Sequence, residues 1–201
     1  MTTDIRQDSQ EKTLSALFAS KARLAILRVF MLDPLRAYYQ RQIEVATGLA
    51  IRAVQRELER LASIDLLYRR VEGNRTYYQV DMEFPVFPEL RSMILKTSDP
   101  EDWLRGMLAM DESVQMAFLC APEGRALVVT ASGERPSLAS AGAFALEVMS
   151  TESFARALSD APETLEPFLA HGVDLLGRRD DMIWRRIEAA GYSVEKGRGV
   201  P

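Results

Sequence analysis

Residues 40–81 read QRQIEVATGLAIRAVQRELERLASIDLLYRRVEGNRTYYQVD, and the fold turns on how this stretch is parsed. Its centre is an amphipathic segment. Ile51, Val54, Leu58 and Leu61 recur at spacings of three and four and so share one helical stripe. Arg52, Arg56, Glu59 and Arg60 fall on the opposite face, with Gln55 on its flank. Before it, Gly48 supplies a turn, because glycine takes positive φ without steric cost. Upstream of that turn, Gln40–Thr47 has Ile43, Val45 and Ala46 as its apolar residues and predicts a short helix that buries one side. Downstream, Leu66–Val71 and Thr76–Val80 are rich in aromatic and β-branched residues. Glu72-Gly73-Asn74-Arg75 separates them with turn chemistry, which predicts a hairpin.

Helix, glycine turn, helix and hairpin, in that order, is the plan of a winged helix-turn-helix. The second helix then becomes the candidate for a major groove. Arg52, Gln55 and Arg56 are expected to meet bases or adjacent phosphates, with Arg60 supporting them, because arginine pairs with guanine and glutamine with adenine through two hydrogen bonds each. Arg69, Arg70, Asn74 and Arg75 cluster around the hairpin tip and are expected to rest on phosphates, which orients a protein without reading sequence. The competing reading is a solvated charged face. Glu57 and Glu59 can pair with Arg60 and Arg56 at i,i+3 spacing and mute the basic face, and such modules also bind proteins.

The 201 residues suit one or two domains, and 47% apolar content allows a proper core. Net charge is −4 overall but uneven. Residues 1–96 hold 15 Lys and Arg against 12 Asp and Glu, a net of +3; residues 97–201 hold 10 against 17, a net of −7. The positive half is the one with the expected DNA reader. Its small excess predicts few phosphate contacts per subunit and a strong reliance on dimerisation or ionic strength. Cys120 is the one cysteine, so an intrachain disulfide and a multi-cysteine zinc site are both excluded; within Ala117–Ala121 it reads as a buried small residue. MTTDIRQDSQEK lacks an apolar segment and is not expected to be a signal peptide. With no membrane-length apolar run, the expected location is the cytoplasm.

Along the rest of the chain, Leu14, Leu17 and Phe18 predict a short helix with few partners in its own subunit, suited to packing across a dimer axis. Ser20 is placed to cap a helix carrying Leu24, Leu27, Phe30 and Met31 that stops at Asp33-Pro34. After the hairpin come a helix over 89–96 and another opened by Asp99-Pro100. The C-terminal half reads as mixed α and β. Strands are expected over 115–121, 126–130, 144–149 and 173–176, with a helix capped by Ser150 or Thr151. A further helix is expected from Asp160 to Ala170, bent at Pro167, and a last one capped by Asp180 or Asp181. The tail after Tyr192 is expected to be loose. The divisions are 11–96 for the winged helix, 97–112 for a linker helix and 113–192 for a small α/β domain, an α+β protein as a whole.

The segment from LFASKARLAILRVF through the helix-turn-helix and hairpin to FPELRSMILKT resembles the winged-helix regulators of the ArsR-like type. It is more similar to those in which a small nucleotidyltransferase-like domain follows. WLRGML, MAFLCA, RALVVTA, EVMSTESFARAL and LAHGVDLLGRR look like the helices and strands of that domain. The resemblance implies a dimeric, cytoplasmic, bacterial transcription regulator that binds double-stranded DNA. It also implies what an active second domain would need: a Gly-Ser pair after the first strand and two aspartates, one residue apart, that hold Mg²⁺. Here the first strand runs out through Leu119-Cys120-Ala121-Pro122-Glu123-Gly124, and Gly124-Arg125-Ala126 precedes Leu127-Val128-Val129. Neither pattern is present, so the expectation is a degenerate domain with no catalytic residues, no metal and no cofactor, used for dimerisation, for sensing a small-molecule or protein effector, or for a partner. The alternative is an active nucleotidyltransferase with an atypical site. Asp180-Asp181 is the one Asp doublet and reads as a helix cap, and His171 as a helix-end residue.

Overall fold

The computed structural model describes residues 12–137, 142–179 and 182–201. The protein is mixed α and β, and it divides into two compact units, one reaching to Gly106 and including Pro201, the other Met107–Val200.

In the first unit, residues 12–17 form helix α1. Helix α2 spans Lys21–Leu32; its Ser20 Oγ accepts from the Arg23 backbone N–H at 3.1 Å, which satisfies one of the open donors of the first turn. Leu14 is buried at 3% exposure in the same core as Leu24 and Leu27, and Phe18 packs against that core. The expectation that this stripe waits for a dimer partner is therefore corrected for Leu14. A turn at Phe18–Ala19, with Ala19 at φ 53, folds α1 back onto its own subunit. Leu17 stays exposed.

Strand β1 (Tyr38–Tyr39) leads into α3 (Gln40–Thr47), which closes at Gly48 with φ 67 and its N–H bonded to the Glu44 carbonyl. Helix α4 spans Ile51–Ser63 and buries Val54, Leu58 and Leu61. The hairpin pairs β2 (Leu67–Glu72) with β3 (Arg75–Val80) in register from Leu67↔Val80 to Glu72↔Arg75. The loop is thus Gly73-Asn74 alone, shorter than the four residues expected. Glycine at φ 58 in the first loop position allows a two-residue turn that matches strand twist. Strand β1 joins the other edge of β3, giving the order β1-β3-β2. Helices α5 (Phe87–Lys96) and α6 (Pro100–Ala109) follow, and Asp99 caps α6 through the Asp102 N–H at 2.8 Å. Arg91 of α5 donates to the carbonyls of Met31 and Gly106, tying three helices with one side chain.

The second unit holds a five-stranded mixed sheet, β6-β5-β4-β7-β8. Its strands are β4 (Val114–Cys120), β5 (Arg125–Thr130), β6 (Ala145–Ser150), β7 (Val173–Asp174) and β8 (Glu195–Lys196). The β4–β5 and β4–β7 pairs are antiparallel, and β5–β6 and β7–β8 are parallel. Met116, Phe118 and Cys120 alternate onto one face, where α7 (Thr151–Asp160), α8 (Glu166–Leu169) and α9 (Met182–Ala189) supply Phe154, Phe168, Leu169, Trp184 and Ile187. Phe118 stacks with both Phe154 and Trp184, each at 6.0 Å.

Three expectations fail here. The bent helix over 160–170 is a 3₁₀ turn, Pro162–Thr164, followed by the four-residue α8. Pro167 stands in the first turn of α8, where its missing N–H costs nothing, rather than at a kink. The tail is not loose. Val194 and Val200 are buried, and β8 pairs with β7 through Val173↔Glu195 and Asp174↔Lys196. The cause lies in β7: buried Asp174 accepts from the Leu176 and Gly177 N–H groups and from Arg179 Nε at 2.8 Å, and Arg179 also donates to the Val194 carbonyl. These contacts also stop β7 after two residues, short of the expected Leu176. Gly172 is required by crowding, since a Cβ there would lie 2.4 Å from the Phe168 carbonyl oxygen. Asp180 and Asp181 lie outside the described residues.

Candidate nucleic-acid interface

Helix α4 buries Val54, Leu58 and Leu61, so its spacing of 100° per residue turns Arg52, Arg56, Glu59 and Arg60 outward, and all four are exposed. Arg52, Arg56 and Arg60 stand four apart and form one ridge. At 1.5 Å rise the ridge is about 12 Å long, the length of three to four stacked base pairs at ~3.4 Å each. Among the described residues Arg52 has no carboxylate within ion-pair distance. Arg60 pairs with Glu57 at 3.2 Å, and Arg56 approaches the same oxygen at 3.8 Å. Among the described residues Glu59 makes no such pair, and the Glu59–Arg56 contact expected at i,i+3 spacing does not form. Gln55 is half-buried and donates to Gln40 Oε1 at 3.2 Å. Its carbonyl oxygen and second N–H remain, the donor and acceptor that adenine needs.

The hairpin carries the other four expected residues, Arg69, Arg70, Asn74 and Arg75, and all are exposed. Strand alternation separates them. Arg70, Tyr77 and Arg75 share one face with Tyr39 of β1, by the pairings Arg70↔Tyr77 and Tyr39↔Tyr77. Arg69 stands on the other face, opposite Tyr78. Arg70 is paired with Glu72 at 3.1 Å, whereas Arg69 has no carboxylate within that distance among the described residues. The Arg75 guanidinium sits 4.8 Å from the Tyr39 ring centroid, and Tyr39 meets Tyr77 edge-on at 5.8 Å. The hydrogen bond to the Tyr77 oxygen, then the charge of Tyr77 and Tyr39, holds Arg75 above its ordinary pKa.

Two contributors, Tyr39 and Arg41, escaped the sequence reading, and a third, Glu57, was read only in part. Tyr39 was invisible because a two-residue strand has no periodicity. Glu57 was seen as a surface partner of Arg60, yet its side chain is 2% exposed and also binds Arg23 of α2 at 3.0 Å, a contact 34 positions away in the chain. Arg41 adds an exposed cation on α3, paired with Glu44. The Gly73-Asn74 turn chemistry and the arginine spacing were the local signals.

In the second unit, Cys120 is buried and His171 is exposed. The β4–β5 connection is a 3₁₀ turn, Ala121–Glu123, and Gly124. Its one carboxylate, Glu123, is paired with Arg125, as is Glu147 of β6. Both carboxylates are thus turned toward the Arg125 guanidinium. Among the described residues no group of three His, Cys, Asp or Glu side chains could hold a metal ion, and no helix is long and apolar enough to cross a membrane. The chain matches no known family, no curated protein and no solved structure.

Proposed function

We propose that this protein is a DNA-binding regulator of the winged helix-turn-helix kind. Helix α4 enters a major groove, and the β2–β3 hairpin lies along the flanking phosphates. The observation that carries the reading is the exposed Arg52–Arg56–Arg60 ridge on a helix whose opposite side is buried, in the same unit as an exposed arginine hairpin. Within this reading Arg52, Gln55 and Arg56 meet base edges, Arg60 supports them, and Arg69, Arg70, Asn74 and Arg75 meet the backbone. The +3 balance of residues 1–96 is small, so two copies on a two-fold symmetric site are part of the proposal. The second unit is a nucleotidyltransferase-like domain without its chemistry, serving dimerisation, an effector or a partner. The ArsR-like resemblance and the carboxylates committed to Arg125 support that assignment.

Selection of a randomised duplex library by the full-length protein, followed by anisotropy titration of the enriched duplex against a mixed-sequence one, tests the reading. Enrichment of one sequence, with affinity falling steeply as salt rises, is expected. No enrichment and no retardation at low salt would remove DNA from the account.

A further inference from the structure

Glu57 is a carboxylate in an unexpected place. It follows Val54 by three residues and so sits at the edge of the buried stripe, with 2% of its side chain exposed. Its two oxygens face different ways. Oε2 accepts from Arg23 Nε of α2 at 3.0 Å. Oε1 accepts from Arg60 Nη1 at 3.2 Å and has Arg56 Nε at 3.8 Å. Arg23 is itself fixed, since its Nη1 donates to the Phe18 carbonyl and its backbone N–H to Ser20 Oγ. The carboxylate thus joins a rigid support on one side to two ridge arginines on the other, whose side chains are 62% and 58% exposed.

A buried ion pair of this kind is a weak source of stability, because the cost of drying the charges cancels much of their attraction. What it does well is hold geometry. We propose that Glu57 is a positioning, specificity-determining residue of the interface: its hydrogen bond orients Arg60, its charge draws Arg56 Nε toward the same oxygen, and it withholds part of their charge from phosphates. Base reading gains from fixed guanidinia, while indiscriminate backbone binding loses from the diverted charge. The inference rests on the DNA-binding reading above and adds to it the residue that sets the ratio of specific to non-specific affinity.

The local balance of Arg23, Arg56, Arg60 and Glu57 is +2 from their formal charges. Glu57→Gln raises it by one, and Arg23→Gln lowers it by one while leaving Glu57 wholly to the ridge. The experiment measures affinity of each full-length variant for the selected duplex and for a mixed-sequence duplex across salt. For Glu57→Gln, the slope of log affinity against log salt is expected to steepen by about 1. Its preference for the selected duplex falls roughly ten-fold, the size of one weakened base contact. For Arg23→Gln the slope becomes shallower. A role confined to gluing α4 to α2 makes both variants weaken both duplexes alike with the wild-type slope, and that result overturns the inference. If Glu57→Gln does not fold, the Arg23→Gln slope decides alone: shallower supports, unchanged overturns. Wild-type protein that binds no duplex refutes the DNA reading itself, an outcome distinct from wild-type binding with unaltered variant slopes.

Discussion

The guanidinium of Arg75 lies 4.8 Å from the centroid of the Tyr39 ring, so the tip-proximal cation of the hairpin is held by the strand that leads into α3. An exposed stack of this type contributes about 0.5–1 kcal/mol. The arginine reaches its partner already ordered and loses less freedom on binding.

Tyr39→Ala should therefore lower duplex affinity by about two- to five-fold, the stack energy converted to a binding constant. Tyr39→Phe keeps the ring and should bind as wild type. Anisotropy titration reads both. Equal losses in the two variants would assign the effect to the hydroxyl and not to the stack.

Ridge and hairpin arginines should fail differently. Arg56→Ala is expected to cost about 1–3 kcal/mol on the selected duplex and to relax preference at one base position. Arg70→Ala should weaken all duplexes alike and reduce the salt slope by about 1. Arg69 stands on the opposite hairpin face, so it and Arg70 should not contribute equally. A competition series over single-base variants of the selected duplex separates these cases.

Tyr38 predicts an alkaline limit to stability. Its hydroxyl donates to Asp33 Oδ2 at 2.9 Å, and the residue is fully buried. Burial first, then the Asp33 charge, pushes its pKa far above the ordinary value. The folded state keeps a proton that the unfolded chain releases near pH 10. Stability from this group is therefore present below about pH 10 and lost as pH rises beyond it. Urea titrations at rising pH should give a falling midpoint, and Tyr38→Phe should flatten that fall. An unchanged pH dependence in the variant would exclude Tyr38 as its source.

Asp174 predicts how the tail is held. Asp174→Ala removes the acceptor of Arg179 and of two backbone N–H groups, and should cost about 1–3 kcal/mol. Arg179 also lies 4.2 Å from the Trp184 ring, which makes Trp184 fluorescence a reporter of the second unit. Faster amide exchange at Val194–Lys196 in the variant is the expected signature. Wild-type exchange there would mean that β8 is held by its strand pairing alone.

Periodic elements were legible because their determinants are local. The bounds of α3 agree with the reading, Ser20 and Ser150 cap the helices they precede, and the outward turn of Arg52, Arg56 and Arg60 follows from the buried stripe opposite. Leu14 and the tail were misread because their partners are remote: Leu14 meets the core of α2, and Glu195 meets Val173. A short segment with weak periodicity carries no record of what will cover it.

The amino-acid order alone determined where the capped helices α2 and α7 begin, which face of α4 is greasy, and which of its arginines must stand outside, since 3.6-residue geometry and caps act within one turn. Only the folded chain decided that Glu57 is buried against Arg23, that Tyr39 seats Arg75, and that Asp174 closes the tail. Each joins residues that no local rule relates, and the energy of a buried charge or a stacked ring exists only once distant segments have excluded water around it.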